Sequence, residues 1–193
     1  LEHALEDDFG IVRNSMRLGG QALLVARGNL PAPRGHTPPF DMGERRNERR
    51  TLVERLITMR DRVPLFASAN AEALITLVRS TEEVRYEPGE SIWRLGDPAT
   101  FWMIVEFGRV RCTNAAGDTQ DVGAEFAIGI MDAIGQQPRV YEALADTLVI
   151  ANRIELETFL GVLETHYELA RDYLAFLART VLDVQAQARE AAT

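Results

Sequence analysis

Tyr86-Glu87-Pro88-Gly89-Glu90, Gly96-Asp97-Pro98-Ala99 and Gly108-Arg109-Val110 cut one stretch of the chain into short apolar pieces. Ile92 and Trp93, then Phe101 to Val105, then Val110 and Cys112 fill the intervals. Pro-Gly and Gly-Asp pairs reverse a chain because proline presets φ and glycine accepts φ above zero. Period-two apolar segments between turns roughly 8–12 residues apart predict a small barrel or jelly roll.

Outward from that stretch, Ala71 to Val78 reads as a short helix with Ser68 or Asn70 as N-cap. A second strand run spans Val140 to Ile154, and helices follow from Leu156 to Leu163 and from about Tyr167 to Arg189. The predicted class is α+β: a double-stranded β-helix or jelly roll with flanking helices, occupying residues 63–193. Residues 1–62 read as a helical N-terminal extension. Within it, Glu2 to Ala26 carries apolar residues at helical spacing, interrupted by Gly10 and Gly19-Gly20. That pattern predicts one or two amphipathic helices in need of a partner surface. Residues 27–43 contain Pro31, Pro33, Pro38 and Pro39 and read as a linker or extended arm. Residues 1–43 are therefore the candidate segment for a protein partner. Glu44 to Arg60 reads as an arginine-rich helix with Leu52, Val53, Leu56, Ile57 and Met59 on its apolar side.

Composition excludes several function classes. A net charge of −8 opposes binding to nucleic acid or anionic membrane. All 21 basic residues are arginine, as codon bias in a GC-rich genome produces. The cluster Arg45-Arg46-Asn47-Glu48-Arg49-Arg50 is diluted by Glu44, Glu48, Glu54 and Asp61 and reads as a solvated helix face. No apolar run approaches the roughly 20 residues of a membrane span, and the acidic start does not read as a signal peptide. A cytoplasmic location is expected. The single Cys112 allows no intrachain disulfide and is expected as a buried, reduced strand residue. His3, His36 and His166 have no ligand spacing, so no metal site is expected. Nucleophile-elbow, phosphate-loop and zincin motifs are missing, and no enzyme is expected.

From Val63 to Val184 the order and spacing of turns resemble the cyclic-nucleotide-binding domain family. Its members are the sensory β-rolls of catabolite-activator-type regulators, cyclic-nucleotide-dependent kinases and gated channels. The resemblance implies a regulatory, signal-transducing module of bacterial type, with a cyclic nucleotide as the candidate cofactor and none certain. In the family, a cassette begins with Phe-Gly-Glu and a short apolar helix and ends near Pro-Arg-Ser/Thr-Ala. Helix-start amides and the arginine hold the phosphate, and the glutamate accepts the ribose hydroxyl.

Counted back from Pro138-Arg139, Gly129 takes the cassette-glycine position and Arg139 the phosphate-arginine position. Ile130 stands where the glutamate belongs, Val140 replaces the serine or threonine, and Tyr141 replaces the small residue. The candidate ligand-binding positions are thus Gly129, Ile130, Arg139, Val140 and Tyr141, in a degenerate pocket. A hydrogen bond to a charged group contributes about 1.5–3 kcal/mol, so losing the carboxylate weakens a ribonucleotide roughly 10- to 100-fold. Tyr141 is bulky enough to fill the phosphate space, and Glu142 is close enough in sequence to pair with Arg139. An alternative frame places Glu125, in Gly123-Ala124-Glu125-Phe126-Ala127, near the ribose at the cost of a longer cassette; otherwise that segment is the turn before the cassette strand.

On the last helix, Ala170, Leu174, Leu177, Val181, Val184 and Ala188 are spaced 4, 3, 4, 3, 4, a coiled-coil seam. It predicts packing on the chain's own barrel and against a second copy, and similarity to dimeric bacterial family members implies a homodimer. DNA-binding members carry a helix-turn-helix after this helix. Here Glu190-Ala191-Ala192-Thr193 follow, so no sequence-specific nucleic-acid binding by this chain is expected. The sequence predicts a non-enzymatic regulatory module, impaired in cyclic AMP or cyclic GMP binding and acting through protein–protein contacts. Two alternatives stay open: a working sensor of a cyclic nucleotide or other small anion through Arg139, and an assembly module of a larger complex.

Overall fold

The computed structural model describes residues 9–32, 51–63, 66 and 69–190. Helix α1 (Phe9–Ala26) comes first, then α2 (Leu52–Arg62) and α3 (Ala71–Arg79). Strands β1 (Glu82–Tyr86), β2 (Ser91–Trp93), β3 (Phe101–Phe107), β4 (Val110–Asn114), β5 (Thr119–Val122) and β6 (Ala127–Ile128) follow. The chain continues through α4 (Ile130–Gly135), β7 (Tyr141–Ala145), β8 (Val149–Glu155), α5 (Leu156–Thr165) and α6 (Tyr167–Glu190).

Two antiparallel four-stranded sheets make the roll, in the orders β1-β8-β3-β6 and β2-β7-β4-β5. Two of the turns that announce the fold are closed by their own acids. Glu87 N donates to the Glu90 carboxylate at 2.9 Å, and Arg94 N donates to Asp97 Oδ2 at 2.8 Å. The strand run Val140 to Ile154 divides into β7 and β8, because the chain changes sheets at Asp146. There the Asp146 carboxylate is bridged by Arg109 and Arg111, both from the β4 side.

The helices differ from expectation in instructive ways. α1 is one continuous helix through Gly10, Gly19 and Gly20, and the part of Glu2–Ala26 before Phe9 lies outside the described residues. Glycine costs a helix roughly 0.5–1 kcal/mol against alanine, but here it permits close approach. A Cβ on Gly19 would lie 3.1 Å from Leu177 Cδ1, and one on Gly20 would lie 3.0 Å from the Met131 carbonyl oxygen. Val12, Met16, Leu23 and Leu24 of α1 are buried in the same apolar cluster as the strands. Each such side chain contributes about 1.5–3 kcal/mol of apolar burial before ordering costs.

Of the proline-rich arm, residues 27–32 are docked rather than free, and 33–43 lie outside the described residues. Ala32 N donates to Gln120 Oε1 at 2.9 Å, Gln120 Nε2 returns a bond to Ala32 O at 3.2 Å, and Asn114 Nδ2 donates to Gly28 O at 2.8 Å. α2 starts at a capping box, Thr51 with Glu54, and residues 44–50 of the helix expected over Glu44 to Arg60 lie outside the described residues. Asn70 caps α3 by accepting from Ala73 N at 2.8 Å, while Ser68 lies outside them. A ring sequence Phe66, Trp102, Phe159, Tyr173 ties β3 to α5 and α6, with centroids 6.2, 5.2 and 6.0 Å apart.

Candidate functional site

Arg139 enters the site from a backbone clamp. Its N–H donates to Asp97 O at 2.9 Å, and its carbonyl accepts from Gly96 N at 2.8 Å. The Gly96-Asp97 turn therefore fixes where the side chain begins. From there the guanidinium runs inward and is fully enclosed, with 0% of the side chain exposed. Nη1 donates to Gly129 O at 3.0 Å, Nη2 donates to Phe101 O, and Asp132 Oδ2 lies 3.5 Å from Nη1. The guanidinium carbon sits 4.0 Å from the Trp93 ring centroid and 5.0 Å from that of Phe101. Such cation–π contacts gain strength when water is excluded.

Glu142 is not the partner. β7 alternates, with Tyr141, Ala143 and Ala145 inward and Glu142 exposed on the other side. Asp132 takes the role, and sequence reasoning missed it. The available signal was one acid inside the apolar run Ile130-Met131-Asp132-Ala133-Ile134, seven residues before an arginine. Burial pushes the Asp132 carboxyl up to about 7, against the downward pull of Arg139, and burial lowers Arg139 from its usual range. Desolvating two ions costs several kcal/mol each, which only close pairing and hydrogen bonds offset.

The start of α4 is equally occupied. Gly129, its N-cap, has φ of 77°, and a Cβ there would meet Arg139 Nη1 at 2.5 Å and Trp93 Cη2 at 3.0 Å. Only glycine lets the arginine cross at that point. The Gly129 N–H, one of the unpaired donors of a helix start, is taken by Tyr141 Oη at 2.8 Å. Tyr141 is in turn fixed by Trp93 Nε1, which donates to its carbonyl at 3.0 Å. Burial pushes the Tyr141 phenol well above its usual value, so it stays neutral. Ile130 is buried and Val140 is half-buried against the core. Of the five positions named from sequence, Gly129, Arg139 and Tyr141 are brought together by hydrogen bonds, and the arginine and first amide that would face an anion already have partners from this chain.

Glu125 lies in the turn before β6, with its N–H donating to Val105 O at 2.6 Å, and the cassette helix starts at Ile130. Residues 83–166 match the cyclic nucleotide-binding domain family. This segment belongs to that family.

The cyclic nucleotide-binding fold is shared with the N-terminal domain of a transcriptional regulator from Streptomyces coelicolor A3(2). The two are 27% identical with a TM-score of 0.58, over 65% of this chain and 93% of that one. The Thermus thermophilus catabolite activator protein shares the fold at 21% identity and a TM-score of 0.57, over 67% of this chain and 63% of its own. The acetyltransferase Pat of Mycolicibacterium smegmatis is 29% identical over 120 residues; the match takes in 57% of this chain and 36% of the length of that relative.

Two helices cover the cyclic nucleotide-binding domain at the cassette. Gln21 Nε2 of α1 donates to Gly135 O at 2.7 Å, and the Tyr173 hydroxyl of α6 lies 4.0 Å from Met131 Sδ. Of the seam on α6, Ala170 and Leu177 are buried within the chain, Leu177 against Gly19 of α1. Leu174, Val181 and Val184 are partly buried and pack against the core. Cys112 is buried, as expected, and burial pushes its thiol up. Among the described residues no helix is long and apolar enough to cross a membrane.

Proposed function

We propose that this chain is a non-enzymatic regulatory module whose cyclic-nucleotide pocket is filled from within, and which acts through protein–protein contacts. The enclosure of Arg139 carries the proposal. A cyclic phosphate needs that guanidinium and the Gly129 amide, and both are held by Asp132, Phe101, Gly129 O and Tyr141. Entry of a ligand requires breaking a buried ion pair and displacing a buried tyrosine. Ile130 in place of a carboxylate leaves a ribose hydroxyl without a partner there, which adds a desolvation cost. Relatives of the matched segment occur in a protein named a transcriptional regulator and in one named an acetyltransferase, which supports a role in controlling an attached or associated activity.

The contact surface belongs to the same proposal. A homodimer through α6 would use Leu174, Val181 and Val184, since α1 already covers Leu177. Sedimentation of wild type against Val181→Glu tests it: a dimer that the substitution leaves intact removes α6 from the interface. For the pocket, calorimetric titration with cyclic AMP, cyclic GMP and cyclic dinucleotides is the test. The expected result is no heat and no melting shift at millimolar ligand. Low-micromolar binding would sink the occupied-pocket proposal and establish the second reading, a sensor of relaxed ribose specificity. That reading is favoured by one observation: the Arg139 guanidinium lies at the start of α4, 3.0 Å from the carbonyl of its N-cap Gly129.

A further inference from the structure

We propose that α1 is a latch on the cassette, so that seating α1 and closing the pocket are one equilibrium. The inference rests on the occupied-pocket reading and concerns what keeps the pocket occupied. α4 has only six residues, all buried, and a helix that short does not hold itself in water. Its ends are closed within the chain: Ala133 N donates to Gly129 O at 3.1 Å, and Gln136 N donates to Ala133 O at 3.0 Å. Its remaining order comes from what lies on it.

α1 lies on it directly, backbone to backbone. The absence of a side chain at Gly20 brings α1 against the Met131 carbonyl, where a Cβ would lie 3.0 Å from the oxygen and 3.4 Å from Gly135 N. One residue on, the Gln21 amide donates to Gly135 O at 2.7 Å and satisfies a carbonyl at the open end of α4. The same turn of α1 presents Gly19 to Leu177 of α6. Neighbouring α1 residues Met16, Leu23 and Leu24 are buried in the common core.

α4 in turn carries Asp132, and its N-cap Gly129 supplies both the carbonyl that Arg139 binds and the amide that Tyr141 binds. Lifting α1 therefore hydrates α4, loosens Asp132 from Arg139, and frees the Gly129 amide. Linkage makes the effect reciprocal. A partner that draws α1 away opens the cassette, and anything that enters the cassette weakens the hold on α1.

The test is native-state hydrogen exchange on the full chain, read by mass spectrometry over residues 129–137 and over β3 and β8. Gly20→Leu puts a side chain into the Met131 carbonyl while replacing glycine with a stronger helix former, so α1 itself is not weakened. Gln21→Ala removes the bond to Gly135 with no added bulk. Gly20→Leu is expected to speed exchange in 129–137 by about tenfold or more relative to β3 and β8, and Gln21→Ala by a smaller factor in the same direction. The inference is overturned if residues 129–137 do not outpace β3 and β8 in either variant. Nucleotide binding by the wild type would overturn the occupied-pocket reading without altering this exchange result, so the two failures are distinguishable.

Discussion

Gly117 and Gly129 share a left-handed backbone, with φ of 86° and 77°, in opposite surroundings. Nothing lies within 4 Å of a Cβ built on Gly117, in the β4–β5 turn. On Gly129 the same atom would sit 2.5 Å from the Arg139 guanidinium. One glycine answers only to its own turn, which Asn114 organises by accepting from the amides of Ala116 and Asp118 at 3.0 and 2.9 Å. The other answers to a buried ion that must pass over it. The Gly117 turn is locally determined, whereas the cassette turn is determined by a residue ten positions away.

The contrast breaks most readily at the ion. Arg139→Ala leaves Asp132 buried without a countercharge and is expected to cost about 3–5 kcal/mol in denaturant unfolding. The paired replacement Arg139→Met with Asp132→Leu removes both charges and is expected to recover most of that loss. A cost below about 1 kcal/mol for Arg139→Ala would mean the pair is not structurally coupled to the cassette.

A pH series sharpens the same point. Burial raises the folded-state Asp132 carboxyl to about 7, above its ordinary 3.8. Below pH 4 or so the group is protonated in both states and its contribution to stability is full. As pH rises toward 7 the unfolded chain releases a proton that the folded chain keeps, so stability falls, by at most about 1.4 kcal/mol per pH unit. Above that window the penalty levels off. Subtracting the pH–stability curve of Asp132→Asn from that of wild type should isolate this slope, and parallel curves would show that the carboxyl titrates normally.

The glycines give the smaller effects. Gly129→Ala combines a strained φ with a clash against packed groups and is expected to lose about 2–3 kcal/mol. Gly117→Ala adds only the left-handed strain, about 1 kcal/mol. Equal losses at the two sites, measured by thermal unfolding, would erase the distinction between them.

What was legible in the sequence follows the same division. Turns at Gly89 and Gly96, the Asn70 cap and the strands around Trp93 and Phe101 are local patterns, and they read through to the fold. Gly129 and Arg139 were legible through the family resemblance alone, as cassette positions counted back from Pro138-Arg139. Asp132 was not, since no periodicity reports which buried acid meets an arginine across a hairpin. Gly19-Gly20 looked like a break because local propensity favours one, and packing against Leu177 and Met131 overrides it. The seam on α6 showed an apolar face but could not say that α1 fills part of it. Val140 to Ile154 read as a strand run, but an apolar run does not reveal that its two halves join different sheets.

The short stretch after α1 has a consequence of its own. Ala32 exchanges two hydrogen bonds with the Gln120 side chain, and Gly28 is held by Asn114, so the C-terminal end of α1 is pinned to the β4–β5 hairpin. A helix tethered at one end meets its docking surface at an effective concentration on the order of millimolar, whatever the protein concentration. A free helix competing for α4 has to reach comparable levels. The arm thus makes the state of the cassette a property of the single molecule, insensitive to dilution.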